Sequence, residues 1–485
     1  MTSAFSSATD LPDALRRKEI SSAELTESYI RRIERHDHAV NAVVIRDFDR
    51  AREHAAKADA ARARGADLPL LGLPMTIKDC LHVEGLPTTA GAPERAGHIA
   101  DRDSLVVERV RAAGAIFLGK TNVPPYAADN QAWNELFGRT SNPWNGERTS
   151  GGSSGGAAAA LAAGLTGLEI GSDFAGSIRQ PAAFCGVYGH KPSETAVPRT
   201  GHVPGGMLPN IAICMEAQGP MARSAADLAL ALDIVAGPDV GEEVAWRIAL
   251  PPPRHDRLRD FRVAFLPVPR WLEVDDDIVA ASDRLAGELA AAGAKVAVAQ
   301  PDTFGDMLSY HRVYARMCYA MTGRGTKAER QAKARRLRAK GGEDALAHAD
   351  GLEATASQYI RWCDARESFR AGYRAFFADW DVLVAPNHSV NAFPHDSRPV
   401  GERDLVVNGR TVDATVELVH PGVANLCGQP STAFPCGLSR EGLPVGLQAI
   451  GPYLEDHTVI RFAGLVADLG FTYQPPPGFG SGGND

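Results

Sequence analysis

The sequence predicts an α/β fold, a β-sheet with helices packed on its faces. Three observations carry this. Short apolar runs, LLGLPMTIKD (70–79), AGAIFLGKTN (113–122) and LTGLEIGSD (165–173), each close on Gly, Asp or Asn, as strands do at turns. Helical patterns such as SLVVERVRAAG and AAAALAAG lie between them. Hydrophobic residues make up 44% and charged residues 23% of the 485, which is enough for a large core and excludes disorder as the main state.

In chain order, residues 20–36 read as an amphipathic helix: Ser21 and Glu24 have capping-box spacing, and Leu25, Tyr29 and Ile33 recur at helical intervals. A second, Ala-rich helix over 47–66 ends at Gly65. The alternating strands and helices follow. Residues 237–260, rich in Pro and charge, read as a surface connection. DFRVAFLP and KVAVAQP flank the helix-like DDIVAASDRLAGELAAAG and predict one more βαβ unit. Residues 304–379 are mainly helical in pattern, and the basic run from Lys327 to Lys340 reads as a solvated helix face. Strands return at DVLVAP (381–386) and LPVGLQAIG (443–451), a helix follows over 456–469, and the tail 471–485 is expected to be loose.

A net charge of −8 argues against general nucleic-acid binding, which needs a basic face. No apolar run approaches the roughly 18 residues of a membrane span, and the first residues lack the pattern of a secretory leader. The seven cysteines are scattered with no CxxC pair, as in a protein with reduced thiols in the cytoplasm. Two motif matches fail on context. GAIFLGKT (114–121) fits the P-loop pattern, but its middle residues are those of a buried strand rather than of an open loop around a phosphate. GFGSGG (478–483) follows no strand and opens no helix. No close-set ligand array occurs among the 14 histidines, so neither a metal nor a cofactor is expected.

Three segments carry chemistry. TSGGSSGG (149–156) runs straight into an Ala-rich helix, a loop free to adopt unusual backbone angles and rich in hydroxyl and N–H groups. It matches GxSxG, yet the turn-like NPWNGERTS before it is not the strand a hydrolase elbow needs. In GSDFAGSIRQPAAFCG (171–186), Ser177 stands at a turn behind Phe174, Ala175 and Gly176, where successive N–H groups can converge on one point. Lys78 ends an apolar strand in LPMTIKDC; taken alone it reads more readily as a surface lysine than as a buried one.

Together these segments resemble the amidase signature family. The similar text comprises GLPMTIKD, GRTSNPWN, GGSSGGAAAALAAGL, GSDFAGSIRQPAAFCGVYGHKPS, NLCGQPSTAFP and GLPVGLQAIG; it is dense over 70–230 and thin over 240–380. The resemblance implies a central mixed β-sheet covered by helices on both faces, in a single unit over 1–470. Residues 70–230 would be its catalytic core and 300–380 its substrate side. It implies a Ser–cis-Ser–Lys triad of Ser177, Ser153 and Lys78, with oxyanion donors at Phe174, Ala175, Gly176 and Ser177. Ser154, Asp173 and Arg179 would support the triad, and Tyr126, Trp133 and Met207 would line the substrate pocket. A serine is a weak nucleophile unless a base takes its proton, and burial lowers a lysine's pKa enough to make it that base. One departure stands out: the family commonly has Thr-Gly or Ile-Gly where this chain has Phe174 and Ala175, and a Cβ at 175 would resist a left-handed backbone.

The implied activity is amide hydrolysis through a Ser177 acyl-enzyme, extending to esters, anilides and carbamates. The implied partners are a small-molecule amide and water, with no nucleic acid, no membrane and a second copy in a homodimer. The alternative is a glutaminase-type subunit of a tRNA-dependent amidotransferase. A third reading, a non-catalytic binding protein on this scaffold, fits poorly with all three triad residues being present.

Overall fold

The computed structural model describes residues 3–209, 214–323, 325–398 and 402–480. Eleven strands form one mixed sheet: β1 (Val43–Arg46), β2 (Pro74–Lys78), β3 (Ile116–Thr121), β4 (Glu169–Asp173), β5 (Tyr188–Lys191), β6 (Ala217–Ala222), β7 (Arg262–Phe265), β8 (Lys295–Val298), β9 (Val382–Pro386), β10 (Ser431–Leu438) and β11 (Pro444–Ile450). Their order across the sheet is β1-β3-β2-β4-β6-β5-β10-β11-β9-β7-β8. Helices cover both faces, which is the α/β class the sequence predicts. β2 runs parallel to β3 and β4, and β6 lies antiparallel to β4. At the other edge β7 pairs in parallel with β8 and β9, so the βαβ unit around the Asp276–Ala291 helix is as expected.

The predicted first helix spans Ser22–Val40, with the Ser21–Glu24 capping box formed, and the second spans Phe48–Ala63. Most of GAIFLGKT is strand β3. Its Lys120 is fully buried 2.8 Å from Asp79, a structural ion pair with no loop around it to hold a phosphate. β2 and β4 are buried along their whole length, which explains their continuous apolar runs. Between the sheet and the outer helices runs Gly155–Ala162, a wholly buried helix of Gly, Ala and one Leu. Its residues are small because neighbouring backbone comes very close: a Cβ on Gly156 would stand 2.4 Å from Asn122 N. Beyond β8, residues 304–379 are mainly helical, in four helices from Leu308–Thr322 to Ala356–Asp379. After the last helix, Asp456–Ala467, the chain packs back on the Ser22–Val40 helix: Arg32 donates to Phe479 O at 2.6 Å. The end of the tail, residues 481–485, lies outside the described residues. No helix among the described residues is long and apolar enough to cross a membrane.

Candidate active site

β2 and β4 are neighbours in register, Thr76 opposite Glu169 and Ile77 opposite Ile170, so Lys78 ends β2 beside Ser172 near the end of β4. The chain after each strand carries the chemistry. Lys78 has no exposed surface, and its Nζ lies 2.7 Å from Ser153 Oγ and 2.9 Å from Ser172 Oγ. Burial pushes its ammonium below the usual lysine range. The surface reading of Lys78 in isolation thus gives way, because the strand that ends there is buried on both faces.

Ser153 follows a cis peptide at Gly152–Ser153 and precedes the Gly155–Ala162 helix. The loop is pinned to the Ser177 turn: Ser154 N donates to Ser177 O at 3.1 Å, and Gly152 N to Gln180 Oε1 at 3.3 Å. Ser177 is partly exposed, and it faces the same cavity of about 370 Å³ as Ser153. Asp173 organises the turn between β4 and Ser177. Its carboxylate accepts from Gly176 N (2.8 Å), Ile178 N (3.2 Å), Arg179 Nε (2.9 Å) and Asn425 Nδ2 (3.1 Å). Burial works to raise this carboxyl, yet the Arg179 guanidinium beside it holds it far below the usual carboxylate range. Arg179, itself buried, also donates to Gln448 Oε1 at 2.6 Å and to Asn425 Oδ1.

The backbone answers the question raised by Phe174 and Ala175. Ala175 is not among the residues with positive φ; the left-handed position is Gly176, at φ 93°, where the glycine is kept. Phe174 stands at the cavity wall, its carbonyl accepting from Tyr314 Oη at 3.3 Å. The expected oxyanion donor at Gly176 is corrected: its N–H is spent on Asp173. Phe174, Ala175 and Ser177 N–H have no acceptor in any hydrogen bond among the described residues.

Tyr126 lines the cavity as expected; Trp133 and Met207 do not. Trp133 lies on a two-residue strand of a short hairpin and is 44% exposed, while the inward position is taken by Asn134, bonded to Asn122 at 2.7 Å. Met207 lines a separate pocket with Arg102 and Thr200, because Gly201 N bonds Gly206 O and turns the loop back. That loop gives His202 and Pro204 to the cavity instead. The sequence reading missed Ser172, His202, Glu216, Asn425 and Gln448. Ser172, Asn425 and Gln448 lie inside the stretches that carry the resemblance, so that text could have flagged them; nothing in the sequence joins His202 to Glu216. Cys318, Met321 and Lys333 reach the cavity from the Leu308–Thr322 and Lys327–Lys340 helices. Half-buried Glu417, its carboxyl pushed up to about 8 by desolvation, lines both this cavity and a larger one of about 730 Å³ that holds neither serine.

The amidase family model matches residues 24–460. The chain belongs to the amidase signature family. It is an enzyme, a hydrolase of C–N bonds other than peptide bonds. Across 490 residues it is 34% identical to the A-type subunit of the glutamyl-tRNA(Gln) amidotransferase of Moorella thermoacetica, covering 95% of each chain. Among solved structures it resembles a bacterial aryl acylamidase of the amidase signature family (TM-score 0.79, 27% identity, 96% of each chain). It also resembles 6-aminohexanoate cyclic dimer hydrolase (TM-score 0.77, 27% identity, 99% of this chain and 100% of that one). The first relative corrects the partner expectation. A small-molecule amide with nucleic acid excluded does not stand beside whole-length similarity to a protein named for a tRNA substrate. Net charge misled because it sums over one chain and says nothing of what an assembly presents.

Proposed function

We propose that this amidase breaks a carboxamide through an acyl-enzyme on Ser177, with Ser153 and Lys78 relaying the proton, as the ammonia-releasing chain of a tRNA-dependent amidotransferase. The observation that carries the chemistry is the fully buried Lys78 amine 2.7 Å from Ser153, whose side chain lines the same cavity as Ser177. Ser177 Oγ attacks the carbonyl carbon; its proton passes to Ser153 Oγ, whose own proton passes to Lys78 Nζ. The oxyanion faces the free N–H groups of Ala175 and Ser177, where one donor is worth about 10²–10³-fold in rate. Lys78 returns the proton through Ser153 to the leaving nitrogen, and ammonia departs. Water then attacks the acyl carbon by the same relay, releasing a carboxylate and restoring Ser177.

In this reading residues 1–470 work as one unit, 70–230 supplying the catalytic side chains and 300–380 the substrate side, in a reducing cytoplasm suited to seven free cysteines. The amidotransferase role is supported by the 34% identity along 95% of each chain. Its test is ammonia release from glutamine: strong release only with partner chains supports it, and equal release by the isolated chain refutes it. One observation favours a second reading, hydrolysis of a bulkier aryl or alkyl amide: Phe174, Met321, Leu418 and Pro421 give the cavity an apolar wall. A panel of anilides and aliphatic amides discriminates the two.

A further inference from the structure

A line of side chains continues from Lys78 on the side away from Ser153. Ser172 Oγ, 2.9 Å from Lys78 Nζ, is 3.0 Å from His202 Nε2, and His202 Nδ1 is 3.0 Å from Glu216 Oε1. All four residues are buried, and they come from four places: the end of β2, β4, the 200–206 loop and the residue before β6. The chemistry of each group fixes the direction of the bonds. His202 Nδ1 and Glu216 Oε1 face each other at 3.0 Å without an aligned hydrogen bond, and the acidic side chain favours the imidazole proton on Nδ1, leaving Nε2 bare. The bare nitrogen accepts a hydrogen bond from the Ser172 hydroxyl, whose single proton is then committed, so toward Lys78 Ser172 Oγ can only accept. Lys78 therefore directs its N–H groups to Ser172 and turns its lone pair toward Ser153.

We propose that His202 and Glu216 are positioning residues, ordering the hydrogen bonds through Ser172 so that neutral Lys78 presents its lone pair to Ser153. This rests on the Lys78–Ser153–Ser177 relay proposed above. A protonated His202 reverses the order: Nε2–H donates to Ser172, whose hydroxyl then donates to Lys78 and occupies the lone pair. Three titratable groups face His202: Glu216 beside β6, Lys78 on β2, and Cys80 just after β2, with Cys80 Sγ 3.2 Å from Nε2. Burial lowers the imidazole, but Cys80 and Glu216 together hold it above its ordinary 6.5. The blocked order therefore persists to higher pH than an ordinary imidazole would allow and is relieved as pH rises.

The test follows the rate of Ser177 modification by an alkyl fluorophosphonate on the full-length protein across pH. In the wild type, the acid-side fall in rate is second order in protons, one taken by Lys78 and one by His202. His202→Gln cannot take its proton and leaves a first-order fall. Glu216→Gln lowers the saturating rate about tenfold with half-saturation unchanged. Wild-type rate and second-order fall in both variants overturn the proposal. Should His202→Gln not fold, Glu216→Gln decides alone by the same criterion. Lys78→Ala separates the two levels: if it reacts slowly while the His202 and Glu216 variants behave as wild type, only the positioning pair is lost. If it reacts as fast as wild type, the relay itself is wrong.

Discussion

Replacing Arg179 by Met tests how the Ser177 turn is held. The guanidinium is buried to 1% exposure and spans three elements, donating to Asp173, to Gln448 on β11 and to Asn425. Its loss strips the Asp173 carboxylate of its ion-pair partner, and removing one partner of a buried pair costs about 3–5 kcal/mol. That is a large share of the roughly 5–15 kcal/mol that holds a domain folded. The pH dependence has a definite sign. In the wild type Asp173 is depressed, so its contribution is present above the ordinary carboxylate range and is lost only as pH falls through its much lower folded value. In Arg179→Met burial remains while the largest opposing influence is gone, so the carboxyl rises even though Gly176 N, Ile178 N, Asn425 and Lys191 still favour its charged form. The deficit is therefore largest at neutral pH and shrinks toward pH 4. Urea unfolding of both proteins across this range measures it. Adding Asp173→Asn to Arg179→Met removes the orphaned charge and restores part of the loss. A deficit below about 1 kcal/mol at pH 7, the scale of an exposed pair, would refute the reasoning. So would a double variant that loses the sum of the two single changes.

Other expectations follow from single positions. Gly176→Ala places a Cβ 2.8 Å from Pro421 Cγ at φ 93°, so both the thermal midpoint and amide turnover fall. Glu169, raised to about 8 by burial, gives stability that is fully present below its ordinary 4.5 and is lost as pH rises through 8. Glu169→Gln flattens that decline in denaturation curves taken between pH 5 and 9. Trp133→Ala leaves turnover and KM at wild-type values, since this exposed side chain does not reach the cavity.

Much of this was legible where one-dimensional pattern and burial coincide. β2, β3 and β4 are short apolar runs because both sheet faces are covered, and the βαβ unit between β7 and β8 announced itself by an amphipathic helix between two such runs. The proposed triad was legible through long matching text, since Lys78, Ser153 and Ser177 each sit within a stretch that carries the resemblance. What failed depended on which way a side chain points. Trp133 and Met207 lie near the right loops in sequence, yet a hairpin and a turned-back loop aim them elsewhere. The hydrogen bond of Gly176 to Asp173 was equally hidden, because an N–H in a glycine-bearing turn carries no mark of its acceptor. His202 and Glu216 meet only because the loop before β6 brings them together.

The most direct measurement is a peptide map of the full-length protein after brief exposure to an alkyl fluorophosphonate. A single adduct on the peptide bearing Ser177, absent in Ser177→Ala and formed at least a hundredfold more slowly in Lys78→Ala and Ser153→Ala, is the predicted result. An adduct on another residue, or undiminished labelling once Lys78 is gone, would contradict it.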